Sequence, residues 1–284
     1  MTAQKRRACL GIRRTRGWPV RLAALLFALP VFAHDFYVMP SGFSAGEGSG
    51  LAVGLRNGDT FPESEVSPVL DRVRDVKLLS AAGTFDVKNL RKTEKEILGD
   101  VQIPGPGGAI VIARTVPHFI SLAPKPFNTY LSHEGLDDVI AWRQKHQESR
   151  TPSRERYSKY AKALITTGGD TSFLAHEVGT AAGMTIEIVP EASPNDLKDG
   201  QPLPIRVLYR GIPAAGRQIE VSWAGAGVSR QISIAGRTDA NGRLDIALGK
   251  PGKWRVHTVL MERCADQKAA EWESYWASLT FETR

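Results

Sequence analysis

Apolar and polar residues alternate with period two in short stretches along most of this chain, the pattern of half-buried strands. Between about 34 and 130 the pattern appears in Leu51-Ala-Val-Gly-Leu-Arg56, Val73-Arg-Asp-Val-Lys-Leu-Leu79 and Ala109-Ile-Val-Ile-Ala-Arg114. Asn57-Gly58-Asp59 and Pro104-Gly-Pro-Gly-Gly108 supply turn chemistry between such runs. The second of these lacks the Lys and Ser/Thr of a phosphate-binding loop and reads as a turn.

The period changes in the middle. Ser132 can cap a helix in which Leu136, Val139, Ile140 and Arg143 share a face. Thr151-Pro152 offers a second start, with Tyr157, Tyr160, Ala161 and Leu164 at helical spacing. A helical hairpin is therefore predicted over about 132–165. The opposite face of its second helix is basic, with Arg150, Arg154, Arg156, Lys159 and Lys162, and reads as solvated surface.

From about 184 strand patterns return. Seven short runs begin at Met184, Leu203, Gln218, Arg230, Arg243, Lys253 and Tyr275, with turn signals between most of them. Their number and spacing predict an Ig-like β-sandwich. The expected fold is mainly β: a β-rich domain over 34–183 carrying the helical hairpin, then an Ig-like sandwich over 184–284. Thr238-Asp-Ala-Asn-Gly-Arg243 echoes a calcium loop, but Leu248 stands where the bidentate Glu is needed, so it reads as a turn.

Charge alters the picture of the first 33 residues. The chain of 284 residues has 37 Lys and Arg against 30 Asp and Glu, and seven of the cations fall before residue 34, where there is no acid. The remainder balances at 30 against 30, which removes basicity as an argument for nucleic acid or an anionic membrane. The cationic stretch ends at Arg21 and the apolar run Leu22–Phe32 follows. That run is shorter than the roughly 20 residues a bilayer span needs. With Val31 and Ala33 before the break, residues 1–33 read as a cleaved signal peptide of general secretion, with His34 as the mature start. The expected location is the periplasm. No later apolar segment is long enough to span a membrane. Cys9 leaves with the leader, so Cys264 has no partner within the exported chain.

Cleavage there gives His34 a free α-amine beside its imidazole. Amine and Nδ1 can close a chelate ring on one ion, and a nitrogen pair suits nickel, cobalt or copper. Asp35 can add an oxygen. In Trp254-Arg-Val-His-Thr-Val259, strand alternation places His257 with Arg255 and Val259 on the more polar face, and Met261 two places on. His257, Met261 and Cys264 are soft-metal donors, or else an ordinary edge with a buried thiol. His118 and His133 are weaker candidates, His146 reads as helix surface, and His176 is undetermined. No HxxxH or CxxC pair, Gly-x-Ser-x-Gly elbow, HExxH or dinucleotide fingerprint occurs, so no catalytic class is indicated.

The start Ala33-His34-Asp35-Phe36-Tyr37-Val38-Met39-Pro40 resembles the opening of a family of periplasmic proteins associated with nickel and cobalt uptake and otherwise of unknown function. So do Gly58-Asp59 with Phe61-Pro62, Phe127-Asn128-x-Tyr130-Leu131-x-x-Glu134-Gly135-Leu136, the run Arg154–Leu164, and Trp272-Glu-Ser-Tyr-Trp-Ala-Ser-Leu-Thr-Phe281. The resemblance spans the mature chain. It implies a terminal metal-binding His at His34 and a second His just before Met261, where this chain has Leu260, with His257 nearby. The expected function is a non-enzymatic exported binding protein that holds Ni²⁺ or Co²⁺ for uptake, with a permease of the inner membrane or a receptor of the outer membrane as partner. Its expected ligands are His34, Asp35, His257 and Met261. Two alternatives stand beside it: an Ig-like interaction or structural module of the cell envelope without metal, and a copper carrier or copper enzyme.

Overall fold

The computed structural model describes residues 34–168, 181–198, 200–225 and 228–284, without the side chains of 229–232. The expected signal peptide and His176 lie outside these residues. The strands of the first part are β1 (Phe36–Pro40), β2 (Ser44–Ala45), β3 (Gly50–Asn57), β4 (Val73–Ser80), β5 (Gly83–Asp86), β6 (Lys88–Lys92), β7 (Glu96–Gln102), β8 (Ala109–Thr115) and β9 (His118–Leu122). Helices α1 (Pro124–His133) and α2 (Asp137–Lys145) follow, and then the long strand β10 (Ser153–Thr167). The second part holds β11 (Ile186–Pro190), β12 (Leu203–Tyr209), β13 (Ile212–Pro213), β14 (Gln218–Gly225), β15 (Val228–Arg237), β16 (Arg243–Ile246), β17 (Gly252–Arg263) and β18 (Trp272–Thr283).

A ten-stranded sheet forms the central layer. Its path is β15-β14-β17-β18-β10-β8-β4-β5, with β2 and β9 also paired to β10. One face is covered by the small sheet of β11, β12, β13 and β16, and Ile186, Ile188, Ile205 and Ile246 interdigitate there with Leu164, Trp254, Val256, Leu279 and Phe281. This layer on β14, β15, β17 and β18 is the Ig-like sandwich expected from the seven strand patterns. Its sheet does not stop at residue 184. β18 pairs in parallel with β10, Glu155 to Ala163 against Trp272 to Thr280, so strands from both parts of the chain share one sheet.

The opposite face has two covers side by side. The sheet β1-β3-β7-β6 packs Val38, Leu55 and Ile97 on Val111, Ala161 and Ile165. The helices pack Phe127, Leu131 and Val139 on Val259, Met261, Trp272 and Trp276.

The helical pair sits earlier than the spacing predicted. Pro124, with its fixed φ, opens α1, and Ser132 lies in its last turn instead of capping a helix. The second helix, expected from Thr151 to about 165, is instead strand β10. Tyr160 and Leu164 face one core while Ala161, Ala163 and Ile165 face the other. A central strand buried on both faces loses its alternation and can imitate helical spacing. The expected basic helix face dissolves with it. Arg154 pairs with Glu271 and Arg156 with Glu273, each at 2.6 Å, while Lys159 and Lys162 are buried. Both polar turns are turns: Gly107 and Gly108 have positive φ, and Asp239 accepts from the Asn241 and Arg243 amides.

Candidate functional site

Where the two covers meet, the central sheet presents a polar seam. Strand alternation sends Trp254 and Val256 into the sandwich core and leaves Arg255 and His257 on the other face. Gln218, Glu220 and Ser222 of β14 line up beside them, since Ile219, Val221 and Trp223 take the sandwich side. Strand β1 is tied over this face through its backbone. The Ser278 hydroxyl donates to the Phe36 carbonyl at 2.7 Å, Thr280 to that of Val38 at 2.6 Å, and Lys159 Nζ to that of His34. His34 and Asp35 are thereby delivered to the seam.

Asp35 is buried between two cations. Its Oδ2 lies 2.8 Å from Arg255 Nη2 and its Oδ1 3.3 Å from His257 Nδ1. The other ring nitrogen of His257, Nε2, is 3.2 Å from Glu134 Oε2. Burial disfavours a charged His257, but Asp35 and Glu134 outweigh it and raise the pKa. Both ring nitrogens thus face carboxylates, an arrangement that favours the imidazolium form. Burial likewise opposes ionisation of Glu134, yet hydrogen bonds from His133 and His257 hold it down to about 2. Arg255 also donates to the Gly58 carbonyl at 2.9 Å and to Ser222 Oγ at 3.1 Å, with Tyr37 and Phe61 against its guanidinium.

On the other side of Asp35 is a second group of donors. His34 Nδ1 lies 3.4 Å from Asp59 Oδ2 and 3.5 Å from Glu65 Oε2, and one ligand atom from each lies within 4.8 Å of the others. The Nδ1 atom is shielded from solvent and makes no hydrogen bond. The loop carrying the two acids is held tightly: the Gly58 amide donates to the Asp35 carbonyl at 3.1 Å and that of Glu65 to the Asn57 carbonyl at 2.8 Å. A Cβ at Gly58 would stand 2.7 Å from the Glu63 carbonyl oxygen, which only glycine avoids.

Three of the four residues singled out in the sequence come together: His34, Asp35 and His257 lie within one continuous run of contacts. Met261 shares the His257 face of β17 but sits four residues further, roughly 13 Å along the strand. There it is buried among Val259, Trp272 and Trp276. Cys264 is a buried free thiol past the end of β17. His118 packs edge-on against Tyr157, and His146 stacks on Trp142 at the exposed end of α2.

A family model described as a domain of unknown function, DUF4198, matches residues 31–262. The chain belongs to the DUF4198 family. No curated protein matches it. Among solved structures this DUF4198 chain is similar to a DUF4785 family protein from Legionella pneumophila at 11% identity and a TM-score of 0.24, over 77% of this chain and 51% of that one. The chain thus spans about half the length of the Legionella protein. It is also similar to three N-terminal domains of the outer capsid protein Hoc of bacteriophage RB49, at 9% identity and a TM-score of 0.19, over 87% of this chain and 59% of that one. A third likeness is to the D0-D1 domain of Intimin, at 12% identity and a TM-score of 0.19, over 88% and 98%. Among the described residues of the DUF4198 chain, no helix is long and apolar enough to cross a membrane.

Sequence reasoning passed over Asp59, Glu65, Glu134, Glu220, Lys159 and Arg255 as site residues. Asp59, Glu134 and Lys159 stand inside the motifs that carry the resemblance, and alternation sets Arg255 on the polar face beside His257; Glu65 and Glu220 have no such signal. The sequence pattern puts Lys159 in solvent, yet its ammonium lies over Trp276 at 5.5 Å and Tyr157 at 5.6 Å, and burial brings its pKa down to about 8 against the pull of Asp35 and other acids. Nearby, Glu155 is buried and accepts from Tyr130 Oη at 3.1 Å and from Ser274 Oγ. Burial pushes its carboxyl up to about 7.

The Glu155 shift predicts a pH dependence. The folded pKa lies above the unfolded one, so the native state binds this proton more tightly. Its contribution is complete below the unfolded pKa and is lost as pH rises to about 7. Between pH 5 and pH 8 the wild type is expected to lose about 2–3 kcal/mol of stability relative to Glu155→Gln, which cannot titrate. Urea unfolding of both proteins at the two pH values measures this. Parallel curves would mean that the carboxyl is not held protonated.

Proposed function

We propose that the DUF4198 chain is an exported, non-catalytic carrier that holds one transition-metal ion at His34, nickel or cobalt first and copper as the alternative. The single observation that carries the proposal is the His34 Nδ1 atom, shielded and without a hydrogen bond, facing Asp59 and Glu65 with all three donors within 4.8 Å. Cleavage after Ala33 would add the α-amine, which closes a six-membered ring through Nδ1. Two nitrogens and two carboxylates suit a borderline divalent ion. His257 then acts as a positioning residue: its ring, set between Asp35 and Glu134, fixes Asp35, and the Asp35 carbonyl in turn receives the Gly58 amide of the loop that brings Asp59. Carriage of such an ion fits the periplasm and delivery to a membrane permease or receptor of an uptake system.

The test is calorimetric titration of Ni²⁺, Co²⁺ and Cu²⁺ into mature protein beginning at His34, beside the same protein with one Gly added before His34. The extension is expected to weaken the tight equivalent at least tenfold, about 1.4 kcal/mol. Asp59→Asn in the unextended protein is expected to weaken it as well. Equal binding by the two termini would end the His34 proposal and turn attention to protein partners of the Ig-like sandwich.

A further inference from the structure

The far end of the same seam carries a second set of donors that needs no free terminus. His133 closes α1, Glu134 follows it, and Glu220 reaches in from β14. His133 Nδ1 is 3.1 Å from Glu134 Oε1 and 4.0 Å from Glu220 Oε1, and one ligand atom from each lies within 4.8 Å of the others. Glu134 divides its two oxygens, giving Oε2 to His257 and Oε1 to His133.

The backbone beneath these donors is fixed. Gln218 Nε2 donates to the His133 carbonyl at 2.7 Å, and Arg237 Nη1 to that of Gly135 at 3.0 Å. Gly135 has φ +63, and a Cβ there would lie 2.4 Å from Gln218 Oε1, so the docked turn at the end of α1 requires glycine. Both carboxylates are supported in turn, Glu134 by His257 and Glu220 by Gln218 Nε2 at 3.2 Å, as metal-ligating carboxylates commonly are. The two acids are buried, with side-chain exposures of 9% and 10%, whereas the His133 ring is 66% exposed. The imidazole therefore stands at a mouth and can swing onto an ion seated on the two carboxylates. Bonds of about 2.0–2.2 Å place adjacent ligands about 3 Å apart. A modest rotation of the exposed ring closes 4.0 Å to that spacing.

We propose that His133 Nδ1, Glu134 Oε1 and Glu220 Oε1 form a second, independent site for a divalent first-row metal ion, open to solvent beside His133. One imidazole with two carboxylates is a harder set than the terminal chelate and suits zinc or cobalt better than copper. The open positions allow the ion to exchange.

Co²⁺ serves as the probe, followed by visible absorption and calorimetry near neutral pH in the Gly-extended mature protein, where the terminal chelate is blocked. One equivalent is expected to bind. His133→Ala and Glu220→Gln should each weaken it tenfold or more, with the far-UV circular dichroism of metal-free His133→Ala matching the wild type. Because His133 is largely exposed, that variant keeps the test decisive even if Glu220→Gln fails to fold. The absence of any binding tighter than about 1 mM in the extended protein would overturn the proposal. Binding that both variants leave untouched would overturn it equally. If only the unextended protein binds cobalt, this site fails while the His34 site stands; if only the His133-dependent equivalent is found, the reverse holds.

Discussion

Replacing Asp35 by alanine is expected to cost about 3–5 kcal/mol of folding stability, the loss that follows when one partner of a buried ion pair is removed. Asp35 lies between Arg255, itself 2% exposed, and His257, 3% exposed, so its loss strands two buried cations at once. His257 can shed its proton and retain Glu134, but Arg255 cannot neutralise and is left with the Gly58 carbonyl and Ser222. Asp35→Asn keeps the size and an acceptor oxygen and should lose less. Urea unfolding of the two variants against wild type measures both effects. An alanine variant within about 1 kcal/mol of wild type would show that solvent reaches the pair and that the seam is not a closed electrostatic unit. The ordering matters for the metal proposal too, because a loosened Asp35 frees the start of β1 and the loop bearing Asp59 and Glu65.

The other large effect is expected in the sandwich core. Lys162 of β10 and Glu187 of β11 form a 2.7 Å ion pair in which each side chain is 1% exposed. Glu187 also accepts the Ala182 amide at 2.8 Å and that of Gly183 at 3.1 Å, so one carboxylate fixes the approach to β11. Burial lowers the Lys162 pKa, with Glu187 opposing. Lys162→Met leaves Glu187 as an uncompensated buried anion and is expected to cost about 3–5 kcal/mol. The double variant Lys162→Met/Glu187→Gln should recover at least half of that, because the charge goes while an amide oxygen still accepts from the backbone. Denaturant unfolding of the single and double variants forms a cycle that isolates the interaction. Strict additivity of Lys162→Met and Glu187→Gln would rule the pair out as a coupled unit.

Local pattern decided much of this chain before any tertiary contact was considered. Alternation placed the strands on both sides of residue 184, and turn residues placed the breaks at 104–108 and 238–243. In Trp254–Val259 alternation also separated His257 and Arg255 from the core-facing Trp254 and Val256, because a strand with one polar face writes its period directly into the sequence. His34 and Asp35 were legible as chemistry for a different reason: the pattern of residues 1–33 made their position unusual.

Only the tertiary structure decided that residues 153–167 are a strand. Lying between β8 and β18 with both faces covered, β10 has no polar side to mark a period of two, and its Lys159 and Lys162 are buried against Trp276 and Glu187, where a sequence pattern assigns lysine to solvent. The partners of the site were equally out of reach. Asp59, Glu65, Glu134 and Glu220 come from a loop, a helix end and a strand far apart in the chain, and a lone carboxylate carries no local signature. Which of the chain's acids meet His34, His133 and His257 is fixed by the packing of β1 and α1 side by side on one face of the central sheet.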